Sequence, residues 1–380
     1  MSASTKLPVI AAIAGAGASL AAMASSTTLR AFLSRVLGIS APGGVWRLVA
    51  LILAAINFKN LPFMWHIRLF RGLLYHLYLQ PTPLPPRALF QPIITSTRSP
   101  LVECDYNLHK SNSTYFSDLD VSRMHLLSAL LRQGIRQRHD PTKHKESPTK
   151  ELGGDAPGSF AIALGGITCH FKREVPPYAR YEIWTRLLCW DRKWLYLVSH
   201  IVRPGVAKPA AYTLQPWRKG GKKKNGVIDD GMTPEDAAKL REKLKGAVYA
   251  TSITKYVVKK GRWTVPAERV LLNSGVLPGP RPAELGSLES NGSASAPPPL
   301  TSGAVASADV DGSYVLPAFP PRDGKEGENG ELTWVEIEAE RQRGLKLAEL
   351  FAGLDDAHNE FTGGADGVLG EYNDMLTPFW

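Results

Sequence analysis

The sequence predicts an α+β domain in which an antiparallel β-sheet packs on one helix. Two observations predict this arrangement. Apolar residues recur at helical spacing between residues 116 and 131, directly after a polar loop. Four segments of strand length follow that helix, and two of them are joined by a hairpin turn. A run of strands after a helix, with a hairpin among them, favours an antiparallel sheet packed on the helix.

The central helix is expected over about residues 112–134, after a short strand that begins near Pro100. Its apolar positions are Phe116, Leu119, Leu127, Leu130 and Leu131. Asn112, Ser113 and Thr114 are suitable caps for its start, and Gly134 is a suitable end. These signals together define one buried helix of about six turns.

The sheet is expected to contain strands over residues 159–173, 181–190, 194–203 and 248–259. An insertion, residues 204–246, separates the last two strands, and a helix should open in it at Thr233, which precedes a proline. The insertion also carries a basic run that includes Lys222 and Lys223. These lysines are candidates for contact with substrate phosphates or an anionic membrane, and a solvated basic surface is the alternative interpretation.

The N-terminal region, residues 1–94, is apolar and basic. No Asp or Glu precedes Glu103, whereas nine Lys and Arg do. Residues 7–23 form an uncharged apolar run near the lower length limit for crossing a bilayer, and residues 45–58 have the pattern of an interfacial or short spanning helix. We expect membrane-associated helices here. A processed leader ahead of a core helix pair, or a mitochondrial transit peptide over residues 1–40, would explain the same composition.

The C-terminal part divides into a linker and a helix. The predicted folded domain covers residues 95–277, and residues 278–330 have the Pro, Gly, Ser and Ala content of a disordered linker. In the final region, residues 331–380, Thr333 and Glu336 form the pattern of a capping box that opens an acidic helix. Its expected apolar face consists of Trp334, Ile337, Leu347, Leu350, Phe351 and Leu354.

Charge and cysteine content narrow the classes of function. The net charge is +10, but residues 305–380 carry 16 acidic and 5 basic side chains, so the excess of positive charge lies before them. A basic domain suits coenzyme A, nucleic acid or an anionic lipid surface. The three cysteines, Cys104, Cys169 and Cys189, form no CxxC pair, which argues against a disulfide framework and a zinc site. A reducing compartment is the simplest expectation.

A candidate catalytic arrangement lies where the polar loop meets the central helix. Asp105 precedes Asn112, at the expected helix start, by seven residues. Unpaired backbone N–H groups in a first helical turn can hold the oxyanion of a polarised thioester carbonyl. A carboxylate opposite that carbonyl can attack it or activate a water. From spacing alone, Asp105 is more often a cap or turn residue.

At these positions the sequence resembles the 4-hydroxybenzoyl-CoA thioesterase group of hotdog proteins, and among them the membrane-anchored thioesterase superfamily member six proteins. The matching residues are Asp105, His109, Asn112, Tyr115, Asp120 and Arg123. The resemblance implies a hotdog fold, in which a long antiparallel β-sheet wraps around the central helix. It also implies hydrolysis of acyl-CoA and a homodimer. Two positions depart from the pattern: Leu108 stands where glycine is usual before the histidine, and Ser111 replaces the first asparagine of a pair.

The resemblance also assigns roles. It makes Asp105 the catalytic carboxylate, nucleophile or general base, and the backbone N–H of Asn112 the oxyanion donor. His109 is a further catalytic candidate. The alternative is a structural role, in which its imidazole is hydrogen-bonded to the backbone of the loop. Tyr115 is a candidate for substrate binding or simple packing. The reaction needs no metal or separate cofactor, because coenzyme A is part of the substrate.

Three hypotheses for function remain open. The first is a membrane-associated intracellular acyl-CoA thioesterase at the endoplasmic reticulum or mitochondria. Asn112 begins an N-glycosylation sequence, so its domain should face away from a glycosylating lumen. The second is a non-catalytic hotdog module that binds acyl groups or a protein. The third is a basic adaptor for nucleic acid or lipid, but the lysine run lacks the interleaved aromatic residues of nucleic-acid platforms, so we expect no nucleic-acid partner.

Overall fold

The computed structural model describes residues 42–137, 160–205, 211–218, 246–286 and 332–360, together with a few isolated positions. In chain order the helices are α1 (Gly44–Ile56), α2 (Met64–Leu74), α3 (Thr114–Leu130), α4 (Arg132–Gln137), α5 (Ala267–Asn273) and α6 (Trp334–Ala352). The strands are β1 (Ile93–Arg98), β2 (Phe160–Phe171), β3 (Arg180–Trp190), β4 (Trp194–Val202), β5 (Val248–Lys260) and β6 (Trp263–Val265).

The strands form one antiparallel sheet in the order β1-β3-β4-β5-β2, and the short β6 pairs with β5. The hairpin predicted at residues 191–193 joins β3 to β4, with Trp190 opposite Leu195. The observed bounds of β2 to β5 lie within three residues of the predicted ones, because alternation in a half-buried strand leaves a clear sequence pattern. β1 and β2 are the two edges of the five-strand path.

Helix α3 lies against one face of this sheet and is buried along most of its length. Its leucines pack with apolar residues of β3 and β4, so the predicted apolar face at Leu119, Leu127, Leu130 and Leu131 is confirmed. Its opposite side is covered by α2, where Gly72 lies against the imidazole of His125. A sheet of this strand order wrapped around one helix is the expected hotdog architecture.

Helix α6 covers the other face of the sheet. Adjacent residues of β3 point to opposite faces of the sheet. Thr185 forms a hydrogen bond with Ser122 of α3, whereas Arg186 donates a hydrogen bond to Glu340 of α6. The capping box at Thr333 and Glu336 is present as predicted. The buried residues of α6 are Ile337, Glu340, Arg341, Gly344, Ala348 and Phe351.

The predicted apolar face of α6 was therefore partly wrong: Leu347, Leu350 and Leu354 are exposed. The reason is the close approach of the helix to β3. A Cβ added at Gly344 would lie 2.5 Å from the backbone oxygen of Leu188, so only small residues fit at this contact.

The short strand predicted near Pro100 was also wrong. Residues Leu101–Glu103 form a single 3-10 turn, and the sheet strand β1 ends earlier, at Arg98. The predicted helix at Thr233 and most of the predicted linker lie outside the described residues. In the described part of the chain, no helix has the length and apolarity needed to cross a bilayer.

Candidate active site

The predicted catalytic loop is a tight turn that is closed at its base. Cys104 and Lys110 form an isolated antiparallel bridge, and the Asp105 N–H donates to the His109 carbonyl at 2.9 Å. Within the loop, the Leu108 N–H donates to the Asp105 carbonyl at 3.0 Å. Leu108 adopts φ of 60°, the left-handed conformation that glycine tolerates best. This backbone conformation explains why the group that the sequence resembles usually has glycine at this position.

The Asp105 carboxylate has one oxygen engaged by the loop. Its Oδ1 accepts from the Asn107 N–H at 2.9 Å and from the His109 N–H at 3.4 Å. Among the described residues, no group donates to Oδ2. The turn role expected of such an aspartate is therefore present, and it leaves one oxygen of a half-buried carboxylate available for chemistry.

The start of α3 presents backbone N–H groups beside this loop. The helix begins at Thr114, two residues after the predicted start, and Ser113 precedes it without a side-chain capping bond. The N–H groups of Thr114, Tyr115 and Phe116 donate to carbonyls three residues earlier. Within the described residues, the N–H groups of Asn112 and Ser113 have no such acceptor. Both are suitable donors to an oxyanion.

His109 and Tyr115 lie next to these groups but have different environments. His109 is half-exposed and its Nε2 lies 3.0 Å from Glu174 Oε2, so its partner is a carboxylate and not the backbone. Tyr115 is buried, and its ring makes an edge contact with Phe171, with centroids 5.1 Å apart. Lys222 and Lys223 fall outside the described residues.

A buried cluster of charges holds the base of the loop. Glu103 and Lys110, which flank the loop, form a direct ion pair, and Lys110 Nζ also lies 3.1 Å from Asp118 Oδ2 of α3. Lys59, between α1 and α2, lies 2.7 Å from Glu103 Oε1 and 2.8 Å from Asp118 Oδ2. Arg68 of α2 completes the cluster at 2.7 Å from Asp118 Oδ1. The N-terminal helices are thereby attached to the catalytic loop.

The electrostatics of this cluster favour ionised Asp118. Burial alone would raise the pKa of Asp118, but Lys59, Lys110 and Arg68 outweigh burial and lower that pKa to about 2. The Tyr181 hydroxyl also donates to Asp118, and burial together with this carboxylate raises the pKa of Tyr181. A buried charge with several partners fixes geometry closely, because each alternative position leaves it unpaired.

Two further pairs of polar side chains involve residues of α3. The predicted pair of Asp120 and Arg123 is present, and the buried Arg123 also donates to Thr254 of β5 at 3.0 Å. On the α2 side, His76 Nε2 and His125 Nδ1 lie 2.9 Å apart. Burial, followed by the neighbouring His76 and two arginines, lowers the pKa of His125 to about 4.

Sequence reasoning missed the charge cluster. The opposite charges of Glu103 and Lys110 on either side of the loop were a local signal of an ion pair across its base. The contacts of Lys59 with Asp118 and Tyr181 join positions 59 and 122 residues apart, so no local pattern indicates them.

Comparisons with known proteins relate this chain to thioesterases. The sequence profile described as the Thioesterase-like superfamily matches residues 100–215. The chain is 33% identical to thioesterase poxG of Penicillium oxalicum over 324 residues, covering 83% of this chain and 86% of that protein. It is 35% identical to the probable thioesterase atnL of Emericella nidulans over 329 residues, covering 84% and 89%. Among solved structures, the probable thioesterase YbaW of Escherichia coli aligns with 15% identity and a TM-score of 0.29, covering 48% of this chain and 98% of that one.

Proposed function

This chain belongs to the thioesterase-like superfamily and is a thioester hydrolase, and we propose that it cleaves an acyl-CoA or related acyl thioester at Asp105. The overall reaction consumes water and yields a free acid and a thiol. The observation that supports Asp105 best is the open Oδ2 of its carboxylate, in a loop that is fixed by Oδ1 and by the charge cluster. A preorganised acidic group of this kind serves acyl transfer in either of two ways.

As a nucleophile, Asp105 forms a mixed anhydride with the acyl group while the carbon–sulfur bond breaks, and water then hydrolyses the anhydride. As a general base, it takes a proton from water, whose oxygen attacks the carbonyl directly. In both routes the carbonyl oxygen gains negative charge, and the N–H of Asn112 is the proposed donor to it, with Ser113 beside it. The thiolate that leaves takes up a proton.

We assign His109 and Tyr115 supporting roles. The Glu174 carboxylate orients the His109 ring, which is half-exposed and so placed to give a proton to the leaving thiolate. Tyr115 is buried against Phe171 and shapes the wall behind the loop. Lys222 and Lys223 remain proposed contacts for the phosphates of coenzyme A.

The assembly proposed is a homodimer. β2 is twelve residues long and forms one edge of the sheet, pairing only with β5 among the described strands. A long unpaired edge is a ready surface for a second copy of the same strand. An intracellular, reducing location is proposed because all three cysteines are free, and Cys189 is buried away from the other two.

The alternative, a non-catalytic module that binds acyl groups or a partner, is favoured by one observation. Leu108 stands where the resembling group has glycine, and its left-handed conformation strains the turn that carries Asp105. Binding without turnover would preserve the fold and the charge cluster but make Asp105 dispensable.

The test is thiol release from acyl-CoAs of several chain lengths by the full chain and by its Asp105→Asn variant. Asparagine retains an oxygen that accepts from the Asn107 and His109 N–H groups, so the loop is expected to survive. Asp355→Asn, which changes an ion pair with Lys255 elsewhere, is the matched control. Loss of turnover by a factor of about 100 or more in Asp105→Asn alone supports the proposal. Binding of acyl-CoA without turnover by the unaltered chain would favour the non-catalytic module.

A further inference from the structure

Helix α1 is apolar on all its sides and exposed on nearly all of them. Gly44 is its only buried residue, whereas Trp46 is 76% exposed and Ile52 and Leu53 are 52% and 53% exposed. Its single charge is Arg47, near the start. A helix that is apolar all round is normally enclosed by a protein core or by lipid.

Helix α2 turns an apolar stripe outward, bordered by the exposed His66 and Arg71, and turns the side that carries Arg68 inward. A π-helical turn, Tyr75–Leu79, continues α2. Arg68 and Gly72 of α2 and His76 of this turn face the domain, where Arg68 pairs with Asp118 and His76 with His125. The outward residues are Phe63, Ile67, Phe70, Leu74 and Tyr78, at helical spacing and each more than half exposed. A surface helix in water has the reverse orientation.

The apolar surface continues onto the catalytic loop. The Val102 N–H donates to Asn57 Oδ1 at 3.1 Å, directly after α1. Val102 is 66% exposed, and Leu108, three residues after Asp105, is 62% exposed. The ion pairs of Lys59 with Glu103 and Asp118 fix this loop relative to both helices.

We propose that α1, the outward side of α2 and the exposed residues Val102 and Leu108 form one lipid-binding surface, through which the acyl thioester reaches Asp105 from the membrane. The substrate class is then a long-chain acyl thioester that partitions into lipid. The entry route rests on the proposed function at Asp105, whereas the lipid-binding surface stands independently of it.

Lipid fits this surface better than a protein partner does. A protein groove or a second copy covers one side of a helix, but α1 exposes apolar residues on all sides. Thirteen residues span about 20 Å, less than the hydrocarbon core of about 30 Å, so α1 is too short to cross it and is expected to lie in the plane of one leaflet. The chain before Glu103 contains nine basic and no acidic residues, which matches anionic headgroups. Trp46, Trp65 and Tyr78 are the aromatic types that favour the interface.

The surface is tested with the full chain carrying an environment-sensitive fluorophore on a cysteine at position 52, with serine at Cys104 and Cys169. Leu350 of α6, which is 76% exposed on the other side of the sheet, supplies the control position. Vesicles contain phosphatidylcholine and phosphatidylserine, with or without a quencher on the acyl chains. We expect quenching at position 52 and none at position 350. Absence of quenching at position 52 would overturn the proposed lipid-binding surface. An apolar probe environment before vesicles are added would overturn it too, because residues 7–23 or a second copy would then cover α1.

The entry route is tested by Ile52→Glu, with Leu350→Glu as the matched control. Ile52→Glu should lower hydrolysis of a palmitoyl thioester carried in vesicles at least tenfold and leave hydrolysis of soluble butyryl-CoA within twofold. Equal loss on both substrates, or on neither, would contradict entry from the lipid. If the unaltered chain hydrolyses neither substrate, the proposed function fails, and with it the entry route, while the fluorophore test still decides the lipid-binding surface.

Discussion

Replacing Asp118 by asparagine should destabilise the fold more than replacing Lys59 by methionine. Within the described residues, the cluster contains three cations, Lys59, Arg68 and Lys110, and two carboxylates, Glu103 and Asp118, so its net charge is +1. Asp118→Asn raises that charge to +2 and leaves three cations around Glu103. Lys59→Met lowers it to zero, and each carboxylate retains a cation.

The magnitude follows from the pKa of Asp118. A decrease from 3.8 to about 2 means that folding favours the ionised form by about 2 kcal/mol at neutral pH. This stability is present above pH 3.8 and is lost as the pH falls towards 2. Since unpaired cations remain buried in the variant, we expect Asp118→Asn to lower the free energy of unfolding by about 3–5 kcal/mol in total. Burial lowers the pKa of Lys59, with Asp118 opposing, so its charge is less favoured, and Lys59→Met should cost about 1–2 kcal/mol.

The assay is urea unfolding at neutral pH, followed by tryptophan fluorescence, of both single variants and the double variant. Because Lys59 and Asp118 contact each other, the double variant should lose less free energy of unfolding than the sum of the two single losses, by about 1 kcal/mol. A loss below about 1 kcal/mol for Asp118→Asn, or a larger loss for Lys59→Met, would refute this account of the cluster.

Three other variants test separate features by urea unfolding. Leu108→Gly should raise the free energy of unfolding by about 0.5 kcal/mol, because the strain energy relieved at the left-handed position exceeds the free-energy cost of the entropy that glycine adds to the unfolded chain. A lower free energy of unfolding would contradict strain at Leu108. Gly344→Ala should lower it by about 1–3 kcal/mol through contact with Leu188, whereas alanine at the open position Gly353 should not, and equal effects would contradict the close approach. Stability should fall as the pH decreases from 6.5 to about 4, because His125 binds a proton more weakly in the folded chain, and an unchanged slope in His125→Gln would exclude that cause.

The sheet and the central helix could be predicted because their patterns are local. Alternation defines β3 and β4, and helical spacing of Leu119, Leu127 and Leu130 defines α3. The loop with Asp105 was found by its resemblance to a known motif, and the structure adds why that motif holds its shape, since Asp105 Oδ1 ties the turn.

The features that were missed depend on contacts between distant segments. Nothing local marks Lys59 as a partner of Asp118, because their meeting requires α2 to pack on α3. The face of α6 was misassigned because small residues, Gly344 and Ala348, pack most closely, while larger ones such as Leu350 remain outside. The composition of residues 1–94 indicated a membrane, but only the fold shows that α2 turns an apolar stripe outward while Arg68 pairs inward with Asp118.

The proposed action of Asp105 on the thioester itself is decided by single-turnover hydrolysis. Enzyme in excess over acyl-CoA, with the dissociation constant measured separately, isolates the chemical step from binding. We expect Asp105→Asn to bind acyl-CoA with a dissociation constant within about threefold of the unaltered chain and to hydrolyse it at least about 100-fold more slowly. A single-turnover rate within about threefold of the unaltered chain would contradict the claim.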